Sequence, residues 1–253
     1  MVRKTTRMGE LKEFDQLWYD YNYFANPEGK EFKRANGSVD HWGYKNPSAN
    51  WSGAEEIVKA WKTIFKPRNL LEFGAGRGTM IAYARGVGIE AEGFDYSQYA
   101  TSDKGRFAGC KREWLKCANA GKRWLYPDGS FDLVVGLDIM EHLYEEDDLK
   151  VAVPEMFRVA KKYVFLEIAT VDGVREKGYI LKRGEPIPLA TDGRTWAGHV
   201  TVMDRNSWEE RLAREDWFFR RDLVEWFVGL VDEKIIHNWL LNSIIIVSKG
   251  GVD

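Results

Sequence analysis

The sequence predicts an α/β protein in which a mostly parallel sheet is covered by helices on both faces. Short apolar segments of strand length alternate with segments of helical periodicity between residues 52 and 168, which is the pattern of such a fold. Phe131–Leu137 is almost entirely apolar, as is typical of a central strand buried on both faces. With 253 residues, the chain is long enough to enclose a sizeable core in one such domain.

The helix that opens the alternating region is predicted to begin at Ser52. Its hydroxyl can cap the first turn, and Glu55, three residues on, completes a capping box. Apolar residues recur at helical spacing up to Pro67, which ends the helix. The elements predicted next, in chain order, are the strand Asn69–Phe73, the helix Thr79–Arg85, the strand Ile89–Asp95, the helix Ser97–Phe107, the strands Trp114–Cys117 and Phe131–Leu137, a helix from Leu149 to Ala160 and the strand Tyr163–Ile168.

The C-terminal part is predicted to complete the sheet. A helix over Ser207–Arg214 has a second capping box, formed by Ser207 and Glu210. The apolar segments Leu223–Leu230 and Leu241–Ser248 are predicted to be two strands that pair antiparallel. The prediction is therefore a seven-stranded, mostly parallel sheet with an antiparallel C-terminal strand.

Two segments outside this pattern are predicted to cover a binding site. Residues 1–51 are rich in aromatic side chains, include one predicted helix over Glu10–Tyr23, and are interpreted as an N-terminal arm. Their rings either fix the arm to the domain or form a lid over an apolar or ring-shaped substrate. Residues 171–200 hold five glycines and two prolines and are interpreted as a long excursion on the substrate side. Residues 52–253 are predicted to form one domain.

Composition argues against several classes of protein. A net charge of −2 offers no basic field to a nucleic acid or an anionic membrane, so neither is a favoured partner. No stretch approaches the ~20 apolar residues of a membrane span, and no secretory signal is visible at the N-terminus. The two cysteines, Cys110 and Cys117, predict neither a disulfide framework nor a zinc site. We expect a cytoplasmic protein.

A glycine-rich turn follows the first strand of the alternating region. The segment reads Glu72-Phe73-Gly74-Ala75-Gly76-Arg77-Gly78, and Asp95 ends the next strand. Glycines let the backbone approach a ligand closely, and a carboxylate at the second strand end accepts hydrogen bonds from ribose hydroxyls. Together they predict a nucleoside-containing cofactor. The spacing Gly-x-Gly-x-Gly differs from the dinucleotide pattern Gly-x-Gly-x-x-Gly. The acid before the turn also argues against a dinucleotide, because a carboxylate there would repel a pyrophosphate.

These motifs, together with three others in the same order, resemble the class I S-adenosylmethionine-dependent methyltransferases, particularly their small-molecule branch. The further motifs are Pro127–Val134 leading into the fourth strand, Asp138–Leu143 after it, and Gly198–Thr201 before a helix. The resemblance covers about Trp51 to Val247. It implies a Rossmann-like fold, S-adenosylmethionine as the cofactor, and methyl transfer to an oxygen or nitrogen of a small molecule, with a sugar or sugar-containing metabolite preferred.

The resemblance also implies roles for individual residues. The glycine turn would contact the methionine portion and the sugar, Asp95 the ribose hydroxyls, and Tyr96 the adenine. Family members often carry an acid after the third strand; this chain has Asn119 there, whose amide oxygen could accept the same hydrogen bond from the adenine amine. The predicted cofactor-binding residues are Glu72, Gly74, Ala75, Gly76, Asp95, Tyr96, Asn119, Asp138 and Ile139.

The catalytic prediction concerns two histidines. A general base is needed where the acceptor is a hydroxyl or a protonated amine. His142, after the central strand, and His199, at the end of the excursion, are the candidates, and a structural role is the alternative for each. Glu167 is either a substrate contact or a structural acid. The acids Glu145–Asp148 are interpreted as solvated residues beside a helix N-terminus, and no metal site is predicted.

Two other functions remain alternatives from the residues alone. A nicotinamide-dependent oxidoreductase would carry Gly-x-Gly-x-x-Gly and usually Tyr-x-x-x-Lys or a second domain, and none of these can be placed. A non-catalytic binding module built on the same fold would have no need of the intact glycine turn or of Asp95. The sequence therefore favours the methyltransferase.

Overall fold

A seven-stranded sheet organises the part of the chain that the computed structural model describes, namely residues 19–28, 30–33, 39–42, 53–170, 201, 203–232, 235 and 243–251. Two short antiparallel strands, β1 (Lys30–Lys33) and β2 (Val39–Trp42), form a separate pair. The strands of the large sheet are β3 (Asn69–Phe73), β4 (Glu90–Asp95), β5 (Leu115–Cys117), β6 (Phe131–Leu137), β7 (Ala160–Glu167), β8 (Trp217–Phe219) and β9 (Ile244–Lys249).

Seven α-helices and several single turns surround these strands in the described residues. Met140–His142 forms a 3₁₀ turn, and Glu145–Leu149 forms a π-helical turn that leads directly into a helix. The helices are α1 (Tyr21–Phe24), α2 (Ala54–Phe65), α3 (Thr79–Gly86), α4 (Gln98–Thr101), α5 (Lys150–Val159), α6 (Arg205–Leu212) and α7 (Arg221–Leu230). None of the helices in this part of the chain is long and apolar enough to cross a membrane.

The strand order of the large sheet is β5-β4-β3-β6-β7-β9-β8. Strands β3 to β7 pair in parallel, and β9 runs antiparallel to both of its neighbours. The predicted Rossmann-like, seven-stranded and mostly parallel sheet with an antiparallel C-terminal strand is confirmed. The chain proceeds from β3 outward to β4 and β5, then returns to place β6 on the other side of β3. In open α/β sheets, such a reversal of strand order leaves a crevice at the carboxyl ends of the strands, where ligands bind.

Helices cover both faces of the sheet, as predicted, because neighbouring strand residues point to opposite sides. On one face α2, α3 and α7 pack, and the rings of Trp61 and Phe227 lie 5.3 and 5.0 Å from that of Phe165. On the other face α5 and α6 pack, and Trp208 of α6 is completely buried there. The two apolar layers fix the strand ends on which the candidate site is built.

One predicted strand is wrong. Residues 223–230 form most of helix α7 rather than a strand. The buried residues of this helix are Leu223, Val224 and Phe227, whose spacing defines one helical face, while Glu225 is exposed. A short apolar run alone does not distinguish a strand from a helix. The sixth strand of the sheet is instead β8, whose three residues are too few to give a periodic signal.

Four predicted helix starts or lengths also differ from the structure. Gly53, not Ser52, is the residue that precedes α2, and Ser52 lies outside the described residues. Ser97 does cap α4 by accepting a hydrogen bond from the Ala100 amide, but this helix ends at Thr101 and not at Phe107. Helix α6 is capped by Asp204, whose carboxylate accepts from the Ser207 amide at 2.8 Å, so Ser207 lies inside the helix. In the predicted helix Glu10–Tyr23, the described residues form a helix only from Tyr21.

Candidate active site

A cavity opens at the carboxyl ends of β3, β4, β5 and β6. Four parts of the chain line it: the N-terminal segment, the glycine turn, the ends of β4 and β5, and the region after β6. The lining residues are Tyr19, Tyr23, Phe24, Gly74, Gly76, Phe94, Asp95, Tyr96, Ala118, Asn119, Ala120, Leu137, Asp138, Ile139, His142, Leu143, Tyr144 and Asp148.

The cavity brings together most of the predicted cofactor-binding residues. Of the nine, Glu72 and Ala75 alone are not among its described lining residues. Both are buried directly behind the glycine turn, and the Ala75 amide donates to the Phe94 carbonyl at 3.0 Å, joining the turn to β4. Sequence reasoning therefore found the wall of the cavity, while two of its residues support that wall from behind.

Two glycines of the turn are required by their backbone. Gly74 and Gly76 have φ values of +69° and +51°, in the region that favours glycine. A Cβ atom on Gly74 would lie 2.5 Å from Cγ1 of Ile139, so the segment after β6 packs directly on the turn. A Cβ atom on Gly76 would meet only Phe24 Cε1, at 3.4 Å. The turn thus presents bare backbone to the cavity, which is what close approach of a ligand requires.

Asp95 is fixed by two backbone amides. Its Oδ2 accepts from the Gly76 amide and its Oδ1 from the Ser97 amide, each at 2.8 Å. Burial raises the pKa of Asp95, and these two hydrogen bonds act in the opposite direction. The carboxylate is therefore held in one orientation at the end of β4, and it lines the cavity with oxygens that can accept further hydrogen bonds.

Glu72 is a buried acid with an incomplete set of partners. Only 3% of the residue is exposed, and its Oε2 has no hydrogen-bond partner in the described structure. Burial, and then the nearby charge of Asp95, raises the pKa of Glu72 to about 8. At neutral pH the carboxyl group is therefore mostly protonated. An orphaned buried acid behind a ligand-binding turn is a group that a cationic ligand would stabilise in its charged form.

His142, the first candidate base, lines the cavity, whereas His199 lies outside the described residues. The 3₁₀ turn Met140–His142 places the imidazole, and its Nδ1 lies 3.3 Å from the Tyr19 hydroxyl oxygen. Which of the two groups donates depends on the imidazole tautomer. The two rings meet edge to face with centroids 6.0 Å apart. This contact joins the N-terminal segment to the segment after β6.

The N-terminal segment Tyr19–Ala25 is anchored across the site. The Ser97 hydroxyl donates a hydrogen bond to the Tyr19 carbonyl, and Asp20 caps the short helix α1. Tyr19, Tyr23 and Phe24 line the cavity with their rings in edge-to-face contact, 5.2 Å and 4.9 Å between successive centroids. Burial raises the pKa of Tyr19 well above its usual value. These aromatic side chains form one wall of the cavity, and the sequence offered only their abundance as a signal.

Three acids meet behind and beside the cavity after β6. Asp138, with a φ of +47°, is exposed to the cavity, while Glu141 and Glu167 are buried. The Asp138 amide donates to the Glu167 carbonyl at 3.0 Å, and Glu141 Oε1 accepts from the Ala169 amide at 3.1 Å. Burial, followed by the charge of Asp138, raises the pKa of both glutamates well above the usual value. Glu167 is therefore a buried acid that is not among the described residues of the cavity wall.

Asp148 is a lining residue that sequence reasoning interpreted wrongly. It is buried, not solvated, and its Oδ2 accepts from the Tyr144 amide at 3.2 Å. The π-helical turn Glu145–Leu149 directs it to the end of β5, where a Cβ atom on Gly121 would collide with its carboxylate. Asn119 also lies there, with its Oδ1 accepting from the Gly121 amide at 2.7 Å. No run of acids reveals which member turns inward, so the sequence alone had no signal for Asp148.

Among the described residues, no group of three histidine, cysteine or acidic side chains is arranged to hold a metal ion. The three acids after β6 are included in that statement. The groups of the described cavity wall that can bind a ligand or exchange a proton are carboxylates, an imidazole and aromatic rings.

The sequence also matches a protein family. Residues 51–217 match the model of a family described as a methyltransferase domain. The chain belongs to this family. The prediction of a class I S-adenosylmethionine-dependent methyltransferase is thereby confirmed, and the nicotinamide-dependent alternative is set aside. No curated protein matches the methyltransferase at the significance required.

Solved structures of similar fold agree with this assignment. The plantazolicin methyltransferase BpumL, in complex with a pentazolic desmethylPZN analog and S-adenosylhomocysteine (SAH), has a TM-score of 0.53 at 14% identity, over 82% of this chain and 88% of that one. The PH0226 protein from Pyrococcus horikoshii OT3 has a TM-score of 0.53 at 19% identity, over 79% and 90%. The TM-scores show that the methyltransferase shares the fold of these proteins, and at identities this low the likeness shows the fold alone.

Proposed function

We propose that this methyltransferase transfers a methyl group from S-adenosylmethionine to an oxygen or nitrogen of a small molecule. The observation that carries the proposal is the cavity itself. It is lined on one side by the glycine turn and Asp95 and on the other by aromatic side chains of the N-terminal segment.

The residues present fit S-adenosylmethionine. Bare backbone at Gly74 and Gly76 and the oriented carboxylate of Asp95 provide for the methionine portion and the ribose, while Tyr96 and Asn119 line the part assigned to the adenine. The buried, orphaned Glu72 behind the turn suits a cofactor with positive charge. When bound, this cofactor supplies an electrophilic methyl group on a positively charged sulfur.

The remaining lining residues are proposed to bind the acceptor and exclude water. Tyr19, Tyr23 and Phe24 provide an apolar wall, and the arm 1–51 is proposed to act as a lid, of which Tyr19–Ala25 is the part seen at the cavity. The excursion 171–200 is proposed to cover the substrate side, as the sequence predicts. Positioning of two reactants supplies much of the acceleration in a displacement of this kind.

His142 is proposed as the general base for an acceptor hydroxyl. It lines the cavity, and its Nδ1 lies 3.3 Å from the Tyr19 hydroxyl oxygen, so the arm orients an imidazole that titrates in the range needed for proton exchange with an acceptor. Replacement by glutamine should lower the rate of methyl transfer to a hydroxyl at least 100-fold and leave the SAH affinity within about threefold. Equal losses in the rate of methyl transfer and in the SAH affinity would show a structural role for His142 instead.

A similar structure supports binding of an acceptor beside the cofactor. BpumL was solved with SAH and a desmethylPZN analog together, so this fold accommodates both in one protein. A sugar as the acceptor and a cytoplasmic location remain predictions from the sequence.

The test uses a radioactive methyl donor. The purified chain is incubated with [methyl-¹⁴C]-S-adenosylmethionine and an extract of the source organism, separated beforehand into small molecules, proteins and nucleic acids. We expect label in the small-molecule fraction only, and no label with the Asp95→Ala variant, which should lose cofactor binding. Label transferred to the protein or nucleic acid fraction would contradict the proposal.

A further inference from the structure

The charged side chains of the described cavity lining are mainly acidic. The described lining residues include three carboxylates, those of Asp95, Asp138 and Asp148, and no lysine or arginine. Recognition of a phosphate or carboxylate normally uses arginine, lysine or a set of backbone amides. The amide donors seen at the lining carboxylates are already used: those of Gly76 and Ser97 are directed to Asp95, and that of Tyr144 to Asp148. The described wall is therefore suited to a cation and unsuited to an anion.

The cofactor accounts for only part of this negative charge. S-adenosylmethionine carries one net positive charge, since its sulfonium and ammonium groups outweigh its carboxylate. Asp95 is assigned to the ribose, and Asp148 lies at the end of β5 beside Asn119, far along the sheet edge from β6. Asp138 is predicted from the resemblance to lie near both the sulfonium and the substrate mouth, and it stands at the centre of the sheet, beside the segment that packs on Gly74.

Asp138 is held in place by its two acidic neighbours. Glu141 and Glu167 are both close enough to Asp138 for their carboxyl groups to interact with it, and each has a buried Oε2 with no hydrogen-bond partner in the described structure. Two carboxyl groups can form a hydrogen bond only when one of them carries a proton. Because the glutamates are buried and Asp138 is exposed to the cavity, the glutamates are the groups that favour the protonated form and can donate to the Asp138 carboxyl group.

Aromatic rings complete the same cavity. Tyr19, Tyr23 and Phe24 line it together with Asp138. The faces of such rings attract cations, and clusters of them recognise substituted ammonium groups. A carboxylate and a group of aromatic rings in one cavity, with no basic side chain in its described lining, match the chemistry of an amine in its protonated form.

We propose that the methyl acceptor is an amine, which binds as its ammonium ion to Asp138 in the cavity lined by the aromatic side chains of the arm. This inference rests on the proposed function and narrows its acceptor from oxygen or nitrogen to nitrogen. Asp138 is the binding group, and Glu141 and Glu167 are positioning residues that hold it through hydrogen bonds.

The proton and electron balance follows from the chemistry of amines. An ammonium nitrogen has no lone pair, so one N–H bond breaks first, its electron pair stays on nitrogen and its proton passes to a carboxylate oxygen of Asp138. The nitrogen lone pair then forms the new N–C bond while the methyl C–S bond breaks, and that electron pair stays on the sulfur of neutral SAH. Asp138 returns its proton to solvent, to which its side chain is exposed.

The experiment compares two probes of the same shape and different charge. Choline and 3,3-dimethylbutan-1-ol are isosteric, and only choline carries a positive charge. Each is titrated by calorimetry into the full chain saturated with SAH. The variants are Asp138→Asn, Glu141→Gln, Glu141→Ala and, as a control, Asp147→Asn, which removes a charge from an exposed acid outside the described cavity lining.

We expect choline to bind at least tenfold more tightly than its neutral isostere. Asp138→Asn should remove most of that preference for choline, and Glu141→Ala should weaken it. Glu141→Gln, which keeps a hydrogen-bond donor, and the control Asp147→Asn should both retain the preference. Equal affinity for the two probes, absence of choline binding, or a preference unchanged in Asp138→Asn would overturn the inference while SAH binding stands. Failure of the unmodified chain to bind SAH would overturn the proposed function itself, which the same titration shows in its first step.

Discussion

The Asp95 carboxylate accepts a hydrogen bond from the Gly76 amide at 2.8 Å, and this contact joins the two motifs that were recognised separately in the sequence. The glycine turn ends one strand and Asp95 ends its neighbour, and the parallel pairing of β3 with β4 brings the two ends together. A second bond, from the Ser97 amide, completes the support of the carboxylate. The acid therefore shapes the turn as well as facing the cavity.

Replacement of Asp95 by alanine should lower the affinity for S-adenosylmethionine by about 100-fold. A hydrogen bond to a charged group contributes about 1.5–3 kcal/mol, and the variant loses those to the ligand and the one that positions Gly76. Calorimetric titration measures the loss, and the remote exposed acid Asp216, replaced by asparagine, is the control. An affinity within threefold of the unmodified chain would show that Asp95 does not contact the cofactor.

Replacement of Gly74 by alanine should destabilise the fold by about 2–4 kcal/mol. The positive φ at this position strains any residue with a Cβ, and the new atom would overlap the Ile139 side chain. Gly86 is the matched control, because it lies at the end of α3, its φ is not positive, and a Cβ there meets nothing within 4 Å. Chemical denaturation of both variants measures the difference, and a Gly74→Ala protein as stable as Gly86→Ala would contradict the role assigned to the turn.

The sequence predicted the fold best where local pattern and burial agree. The bounds predicted for Phe131–Leu137 match the structure because a strand buried on both faces is almost entirely apolar. Leu223–Leu230 was misassigned because an eight-residue apolar run fits a helical face as well as a strand. The three residues of β8 owe their place in the sheet to pairing with β9, a tertiary contact that leaves no periodic signal in the sequence.

The candidate site was predictable where a motif fixes the backbone. Glycines and an acid at strand ends must face the crevice, because parallel strands bring their carboxyl ends to one edge. Two other residues line the cavity for different reasons. Tyr19 belongs to a segment distant in sequence from the glycine turn, and Asp148 is directed inward by a π-helical turn. Neither arrangement follows from spacing, so only the structure identifies these two residues among many aromatic and acidic ones.

Glu72 should make the stability of the chain fall as pH rises. Its pKa is 4.5 when solvated and about 8 in the folded chain. Between these values the folded state keeps a proton that the unfolded state has released, so the folded state binds more protons and the free energy of unfolding decreases with pH. The effect reaches on the order of 4 kcal/mol at about pH 8, and below pH 4.5 it is absent because both states are protonated.

The Glu72→Gln variant tests this linkage. Glutamine has nearly the same shape and does not titrate, so the stability difference between variant and unmodified chain should grow from pH 5 to pH 8. Glu141 and Glu167 also make the free energy of unfolding fall with pH, and they do so equally in the variant and the unmodified chain. Subtracting one free energy from the other therefore removes their contribution. A difference that stays constant over this range, measured by denaturation at several pH values, would mean that Glu72 is charged in the folded chain.

Replacement of Tyr19 by phenylalanine should change His142 without releasing the arm. The variant loses the hydroxyl that lies 3.3 Å from Nδ1 but keeps the ring and the Tyr19 carbonyl contact with Ser97. The ¹⁵N resonance of His142 Nδ1 should therefore shift because Nδ1 loses a hydrogen-bond partner, with less than about 1 kcal/mol lost in stability. Tyr21→Phe is the control, because Tyr21 is half exposed and is not among the described lining residues. Equal shifts in both variants would contradict a specific Tyr19–His142 bond.

Replacement of Asp148 by asparagine should reduce discrimination between nucleosides. Asn119 stands where relatives often carry an acid, but its Oδ1 is already used by the Gly121 amide. The buried carboxylate of Asp148 lies at the same end of β5 and lines the cavity, so we expect it to accept the hydrogen bond of the adenine amine in place of that acid. SAH should then bind the unmodified chain at least tenfold more tightly than S-inosylhomocysteine, whose base lacks the amine, since a charged hydrogen bond is worth about 1.5–3 kcal/mol. Asp148→Asn should narrow this ratio to about threefold, and Asp147→Asn should leave it unchanged; a ratio unaltered in Asp148→Asn would return the adenine contact to Asn119.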